Sequence, residues 1–267
     1  MKNLVISCLS LLLILMSCKK QADQNKETEN KEVNTEERAE ESKITLSKFE
    51  DSPKFEDAKI SLNEPDVSEI SEESGKAEVK FDFNVENYEL GIQTDGAGEN
   101  GLANSGNGQH IHFILDNAPY SAHYEPSFSK EIEEGHHVLL AFLSRSYHES
   151  VKNAFLVQPV TVGDPEGEAP DLTAPHMFYS RPKGTYSGKG TEKLLLDFFL
   201  VNTEISETGN KVKAKINGEE FTITEWVPYV IEGLDKGEVE IQLQLVDAEG
   251  NLIPGPFNDV TRTVTLK

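Results

Sequence analysis

From Ile44 to the C-terminus, the chain is a succession of short β-rich segments separated by turns of Gly, Pro, Asn and Asp. Polar and apolar residues alternate most clearly in Lys211–Ile216 and in 238–245, so one set of side chains faces a core and the other faces water. No stretch of this region shows the 3.6-residue period of an amphipathic helix. Short strands at close spacing predict an all-β fold of sandwich type.

A weak internal repeat indicates that this β-rich region contains two copies of one strand arrangement. Three blocks occur twice in the same order: 83–90 and 198–205, 109–117 and 210–218, and a Pro–Gly pair at 126 and 135 and again at 228 and 237. We therefore predict two tandem Ig-like antiparallel β-sandwiches. The predicted boundaries are 46–162 for a His-rich first sandwich, 163–190 for a linker region and 191–267 for the second sandwich.

The N-terminus is typical of an exported lipoprotein. Lys2 precedes an apolar run, 4–16, that is too short to span a bilayer, and the tetrapeptide Leu-Met-Ser-Cys that ends at Cys18 resembles a bacterial lipobox. We predict a signal peptide at 1–17, acylation (palmitate) of Cys18, and a disordered tether at 18–45. This lipid would attach the protein to the outer membrane of the cell envelope, on its periplasmic or its surface face. The alternative is an ordinary signal peptide with a cysteine there by chance.

The composition excludes several classes of function. The chain has 47 acidic and 25 basic residues and a formal net charge of −22, which repels nucleic acid. Its two cysteines are Cys18 and Cys8, which lies inside the signal peptide, so disulfides, thiolate metal sites and cysteine nucleophiles are not expected. Gly-x-Ser-x-Gly, His-Glu-x-x-His, Walker and Rossmann motifs are absent from the sequence. We expect a protein that is not an enzyme.

Six of the seven histidines fall between His110 and His148. His110 and His112 are two residues apart, which on a strand places both imidazoles on one face. Imidazoles held in this way are ligands for Zn²⁺ or Cu²⁺. The candidate metal ligands are His110, His112, His136 and His148. The alternative is that these imidazoles only pack and hydrogen-bond on a half-covered face.

The repeat predicts which side chains accompany these histidines. His110 and His112 correspond to Lys211 and Lys213, which face water in the second copy. The same register adds Ile114, Val138, Leu140 and Phe142 to the histidine side of the first sandwich, and we call this surface the His/apolar face. Contiguous apolar area must be covered or used, by the loop 91–108, by another domain or by a partner. The leading hypothesis is a non-catalytic module that binds an envelope protein or polymer through this face.

Two clusters combine arginine with aromatic residues. The first contains Arg145 and Tyr147, and the second contains His176, Arg181 and Lys183. Arginine holds phosphate or carboxylate groups in a bidentate manner, so a third hypothesis is anion binding through Arg145 and Arg181. Inter-domain ion pairing with aromatic packing is the alternative.

Three stretches carry a family resemblance: 102–112, 144–150 and 174–184. They resemble a group of uncharacterised Gram-negative envelope lipoproteins that are sometimes called "phosphopeptide-binding protein". The strand around Gly-x-His-x-His (Gly108 to His112) is also similar to that of small periplasmic sandwich proteins. The resemblance covers essentially the whole chain after the signal peptide and implies an envelope location, without an established activity.

Overall fold

The computed structural model describes residues 43–50 and 52–267. Within these ranges the secondary structure is almost entirely strand, with one short 3-10 helix at Gly188–Thr191 and no helix long and apolar enough to cross a membrane. The predicted signal peptide, Cys18 and all but the last three residues of the predicted tether 18–45 lie outside the described residues. The predicted all-β sandwich class is confirmed.

The strands follow one another at short intervals. In chain order they are β1 (Thr45–Lys48), β2 (Lys59–Leu62), β3 (Asp66–Val67), β4 (Lys76–Glu86), β5 (His110–Leu115), β6 (Ser121–His123), β7 (Ser127–Glu133), β8 (Gly135–Ser144), β9 (Ser150–Val162), β10 (His176–Arg181), β11 (Thr185–Tyr186), β12 (Leu194–Val201), β13 (Lys211–Ile216), β14 (Glu219–Ile223), β15 (Tyr229–Glu232), β16 (Gly237–Val246) and β17 (Asp259–Leu266).

The first sandwich packs two four-stranded sheets against each other. One contains β2, β3, β4 and β7, and the other has the order β6-β5-β8-β9. Every second residue of β4 faces inward, so that Val79 and Phe81 are fully buried against Ile111 and Leu139 of the facing sheet. The alternating sequence of β4 therefore builds this core directly.

The second sandwich includes two strands that the predicted boundaries place outside it. Its sheets have the orders β1-β15-β12-β10 and β11-β17-β16-β13-β14. Strand β1, at the start of the predicted first sandwich, pairs with β15, and β10 lies inside the predicted linker 163–190 and pairs with β12. Both strands belong to the second sandwich because their backbones pair with strands of that sandwich. Pairing between residues far apart in the chain leaves no local pattern in the sequence.

The register predicted from the internal repeat is observed. His112 of β5 pairs with Phe142 of β8, and Lys213 of β13 pairs with Gln244 of β16 in the same relative position. The two copies therefore share one strand arrangement and differ in what their outer faces carry. That face is polar in the second copy and His/apolar in the first.

The second sandwich covers the apolar part of the His/apolar face. The rings of Phe142 and Phe199 lie 4.3 Å apart between centroids, and both side chains are fully buried. Of the alternatives for covering this face, docking by another domain of the same chain is the one observed. The shared cluster consists of Ile114, Tyr120, Val138, Leu140, Phe142, Phe178, Phe199 and Phe257.

Polar contacts fix how the sandwiches dock. The Asn117 side-chain oxygen accepts a hydrogen bond from the Tyr179 amide at 2.8 Å, and the Asn117 carbonyl accepts one from Arg262 at 2.9 Å. Asp197, fully buried on β12, accepts hydrogen bonds from the Ser150 amide at 2.9 Å and from Lys152 at 2.5 Å. A buried carboxylate is costly unless it is paired, so these bonds favour a single docked arrangement.

We expect Phe199→Ala to lower the free energy of unfolding by about 3–5 kcal/mol, because it empties a fully buried site between the sandwiches. Urea unfolding followed by fluorescence of Trp226, the only tryptophan, measures this change. Ile92→Ala is the control, since that side chain is 43% exposed. Equal effects of the two substitutions would show that this contact does not hold the sandwiches together.

Candidate metal centre

Three histidines meet at one end of the β5–β8 pair. His110 is the first residue of β5 and lies opposite Ser144, the last residue of β8. His148 follows in the turn that leads to β9, where its φ of 70° is left-handed and its amide donates to the Arg145 carbonyl at 2.8 Å. The antiparallel register and this turn together bring His148 to the outer face of β5, beside His110 and His112.

The ligand atoms of these three histidines have the separations that a metal site requires. His110 Nε2 lies 3.1 Å and His112 Nε2 lies 3.4 Å from His148 Nδ1, and all three nitrogens lie within 4.8 Å of one another. Two nitrogens bound to one tetrahedral Zn²⁺ at its usual bond length are about 3.3 Å apart. The two short separations match this value, and the third is at most 4.8 Å.

The segment just before β5 orients the His110 ring. Its Nδ1 lies 2.8 Å from the Gly108 carbonyl, which only accepts hydrogen bonds, so Nδ1 carries the proton and the Nε2 lone pair faces the cluster. Gly108 has a φ of 86°, and a Cβ at this position would lie 2.4 Å from the Ile92 carbonyl oxygen. Glycine is therefore required two residues before His110 for this geometry.

Burial keeps the three imidazoles neutral. It lowers the pKa of His110 to about 4 and the pKa of His112 well below its usual range. The pKa of His148 is also lowered, first by burial and then by the charge of Arg181. Neutral imidazole is the form that binds metal.

Tyr120 connects the histidines to a positive charge. Its ring stacks on His112 at 3.6 Å, and its hydroxyl lies 3.3 Å from His148 Nδ1 and accepts a hydrogen bond from Arg181 at 2.9 Å. Burial raises the pKa of Tyr120 to about 12, so the hydroxyl keeps its proton. Tyr120 is not among the residues predicted from the sequence. The turn at Asp116 and Asn117 was the available signal, because it returns the chain beside β5 as β6.

A cleft of about 460 Å³ opens beside His148. The side chains around it come from both sandwiches and include three cations and no carboxylate. Its lining residues are Gly98, Gly101, Leu102, Ala103, Asn104, His148, Arg181, Lys183, Thr185, Tyr186, Ser187, Lys189 and Gly190.

His136 does not join the cluster. In the antiparallel register it lies eight residues from Ser144, about 26 Å along β8 from the end that carries His110. It is partly exposed, and its Nδ1 lies 3.2 Å from the Thr161 hydroxyl. Sharing a face with His110 was therefore not sufficient, because the two residues lie at opposite ends of the sheet.

The apolar candidates for ligand binding are inside the molecule. Ile114, Leu140 and Phe142 are fully buried in the contact between the sandwiches. In this arrangement of the chain these three side chains are therefore not accessible to an envelope protein or polymer, contrary to the exposed face that the sequence predicts. The physical reason is that the second sandwich supplies the apolar cover itself.

The first arginine cluster is a structural one. Arg145 donates to the carbonyls of Pro53 at 2.6 Å and Ser150 at 2.9 Å and forms an ion pair with Glu149 at 3.1 Å. Tyr147 is buried and donates to the Ser52 hydroxyl. Arg145 is thus fully engaged by residues of the protein itself, so of the two arginines predicted to bind an anion only Arg181 lines the cleft.

The second cluster is divided. His176 is buried, and its Nε2 lies 2.8 Å from the Asp171 carbonyl, away from the cleft. Arg181 and Lys183 both line the cleft beside His148. Only these two of the predicted anion-binding candidates reach the candidate metal centre.

No protein-family model matches the chain, and no curated protein matches it either. Among solved structures, it is similar to fibronectin(III)-like modules of Clostridium thermocellum CbhA (15% identity, 78% of this chain and 94% of that one, TM-score 0.27). It is also similar to two tandem V-type regions of VCBP3, a v-region-containing chitin binding protein (9% identity, 79% and 99%, TM-score 0.24). A third is SGBP-B of a Bacteroides ovatus mixed-linkage glucan utilization locus, in complex with a heptasaccharide (10% identity, 59% and 61%, TM-score 0.17).

In metal-free protein, we expect acid to destabilise the fold through His110. The folded state lowers the pKa of His110 from 6.5 to about 4, so the unfolded chain binds the proton first. The free energy of unfolding is therefore fully retained above pH 6.5 and falls as the pH drops toward 4.

His110→Asn is the matched variant, because the asparagine amide still reaches the Gly108 carbonyl and does not titrate. Between pH 7 and pH 5 the unmodified protein should lose about 2 kcal/mol more stability than the variant does. Urea unfolding with a chelator present measures both losses. Equal losses would show that His110 is not held neutral in the folded protein.

Proposed function

We propose that this protein is a lipid-anchored, non-catalytic envelope protein that binds Zn²⁺ or Cu²⁺ through His110, His112 and His148. The observation that carries the proposal is the convergence of three imidazoles, two buried and one partly buried, whose pKa values are all lowered. Three histidine ligands with an open fourth position are a known coordination set for Zn²⁺, and imidazole also suits Cu²⁺.

The hydrogen bonding within the cluster supports a bound cation. His148 Nδ1 has three polar neighbours: His110 Nε2, His112 Nε2 and the Tyr120 hydroxyl. One nitrogen makes one hydrogen bond as donor or as acceptor, so these contacts are not all satisfied by protons. The lone pair of His110 Nε2 also faces His148 Nδ1. A metal ion accepts lone pairs from all three imidazoles at once.

Binding is the simpler role for this cleft, because its cations and hydroxyl groups are suited to holding an anionic ligand. The absence of a thiol in the predicted mature chain, other than the acylated Cys18, leaves imidazole as the metal-binding group. The lipid anchor rests on the lipobox-like sequence at Cys18 and would hold the site in the cell envelope.

We expect the full chain to bind one Zn²⁺ or Cu²⁺ and to melt at a higher temperature when loaded. Replacing any one of the three ligands by asparagine should weaken binding by roughly 100-fold or more, because one direct bond to the metal is lost. The variants are His110→Asn, His112→Asn and His148→Asn. Metal content after dialysis and calorimetric titration measure this. The control is His136→Asn, which should bind as the unmodified protein does, since His136 lies outside the cluster.

The proposal fails if the unmodified chain binds no stoichiometric metal. It also fails if His136→Asn weakens binding as much as His148→Asn does. Either result would leave the three histidines as packing residues of the inter-sandwich region.

We expect Cys18→Ala to abolish incorporation of a palmitate analogue and to release the protein from the membrane fraction. The reason is that a chain with a formal net charge of −22 is repelled by anionic lipid headgroups, so it does not replace the lipid by charge. Metabolic labelling and fractionation of expressing Gram-negative cells test this. Cys8→Ala is the control, because Cys8 lies in the predicted signal peptide.

A further inference from the structure

Four cations lie close together around Tyr120 in a strongly acidic chain. Arg181 and Lys183 both lie against its ring. The pKa of Lys183 is lowered first by burial and then by the charges of Arg181, Arg262 and Lys130. Among residues 43–50 and 52–267, none of these four cations forms an ion pair with a carboxylate. The chain as a whole carries a net charge of −22, so such a concentration of unpaired positive charge is not an average property of the surface.

Arg181 has hydrogen-bonding capacity to spare. It is only 5% exposed and packs between the rings of Tyr120 and Tyr186, at 5.7 and 5.5 Å from their centroids. One amino group donates to the Tyr120 hydroxyl, whereas Nε is buried without any partner. A buried, unpaired donor is costly, and here it belongs to a side chain that lines the cleft.

The cations also bear on the metal. Arg181 is one hydrogen bond from Tyr120, whose hydroxyl in turn contacts His148. A divalent cation at the three histidines would therefore be repelled by Arg181 and Lys183. An anion between the metal and the two cations removes this repulsion and occupies the open side of the cluster.

We infer that the cleft binds a phosphate-type oxyanion, held by Arg181 and Lys183, with one of its oxygens completing the coordination of the metal at His110, His112 and His148. This inference rests on the proposed metal site and adds an oxyanion that binds beside the metal. By linkage, the oxyanion and the metal then tighten each other's binding by the same factor.

The lining of the cleft fits phosphate. A guanidinium and an ammonium group supply charge, and the hydroxyls of Thr185 and Ser187 supply neutral donors. Glycines at three positions of the wall leave backbone amides accessible. A volume of about 460 Å³ is in the range of small-molecule sites, so free phosphate and a phosphate monoester both fit.

The test is a titration of the full chain with Co²⁺, which accepts imidazole ligands and has visible bands that report its coordination. It is run without added anion, with inorganic phosphate, with methyl phosphate and with sulfate, all at one ionic strength. We expect phosphate to tighten Co²⁺ binding about 10-fold and to change the visible bands. Sulfate, a poorer metal ligand of similar size, should have little effect. Comparing methyl phosphate with phosphate shows whether an ester or the free ion is preferred.

Lys183→Gln and Arg181→Lys should reduce the phosphate effect to about twofold or less, while Co²⁺ still binds in the anion-free buffer. Lys183 is partly exposed, so its variant is expected to fold even if the Arg181 variant does not. Lys215→Gln is the control, since Lys215 is exposed on β13 and its substitution removes the same charge away from the cleft. This variant should keep the full effect.

The outcomes separate the two proposals. Co²⁺ binding that phosphate does not alter, or that sulfate tightens equally, overturns the oxyanion inference and leaves the metal site standing. An equal loss in the Lys215 and Lys183 variants also overturns the inference, because it shows a general charge effect. No Co²⁺ binding under any condition overturns the metal site itself.

Discussion

Burial of the outer face of β5 and β8 against β10 and β12 is the contact on which the rest of this structure depends. The first sandwich carries Phe142 on that face, where the second carries Gln244 at the same register. Without a cover, the apolar face would meet water. The second sandwich supplies the cover with Phe199, and the buried Asp197 obtains its hydrogen bonds only in the docked arrangement.

The docking places cations of the second sandwich beside the candidate metal centre. The histidines belong to the first sandwich, whereas Arg181 and Lys183 belong to the end of β10 and the segment after it. Tyr120 lies between the two groups and contacts His148 on one side and Arg181 on the other. An oxyanion held by Arg181 and Lys183 at the metal would contact both sandwiches, so its binding and their docking would stabilise each other.

Part of the site was predictable because it depends on local geometry. The spacing of His110 and His112 defines a shared face, and the turn after Ser144 follows from the hairpin that joins β8 to β9. His136 was predicted in error. Alternation along a strand predicts which face of the sheet a residue lies on. The distance between His136 and His110 depends instead on how β5 and β8 pair, and the sequence of one strand does not specify that pairing.

The sequence by itself determined the all-β class, the doubling of the strand arrangement and the identity of the apolar face, because each is written in alternation and turn residues along a continuous segment. Asp116 and Asn217, for example, cap the same returning strand in the two copies. Only the tertiary structure decided that the apolar face is internal, that β1 joins the second sandwich, and that Arg181 and Lys183 rather than Arg145 reach the histidines. Those outcomes depend on contacts between residues far apart in the chain, which are selected by total burial and hydrogen bonding and leave no periodic signal in either segment.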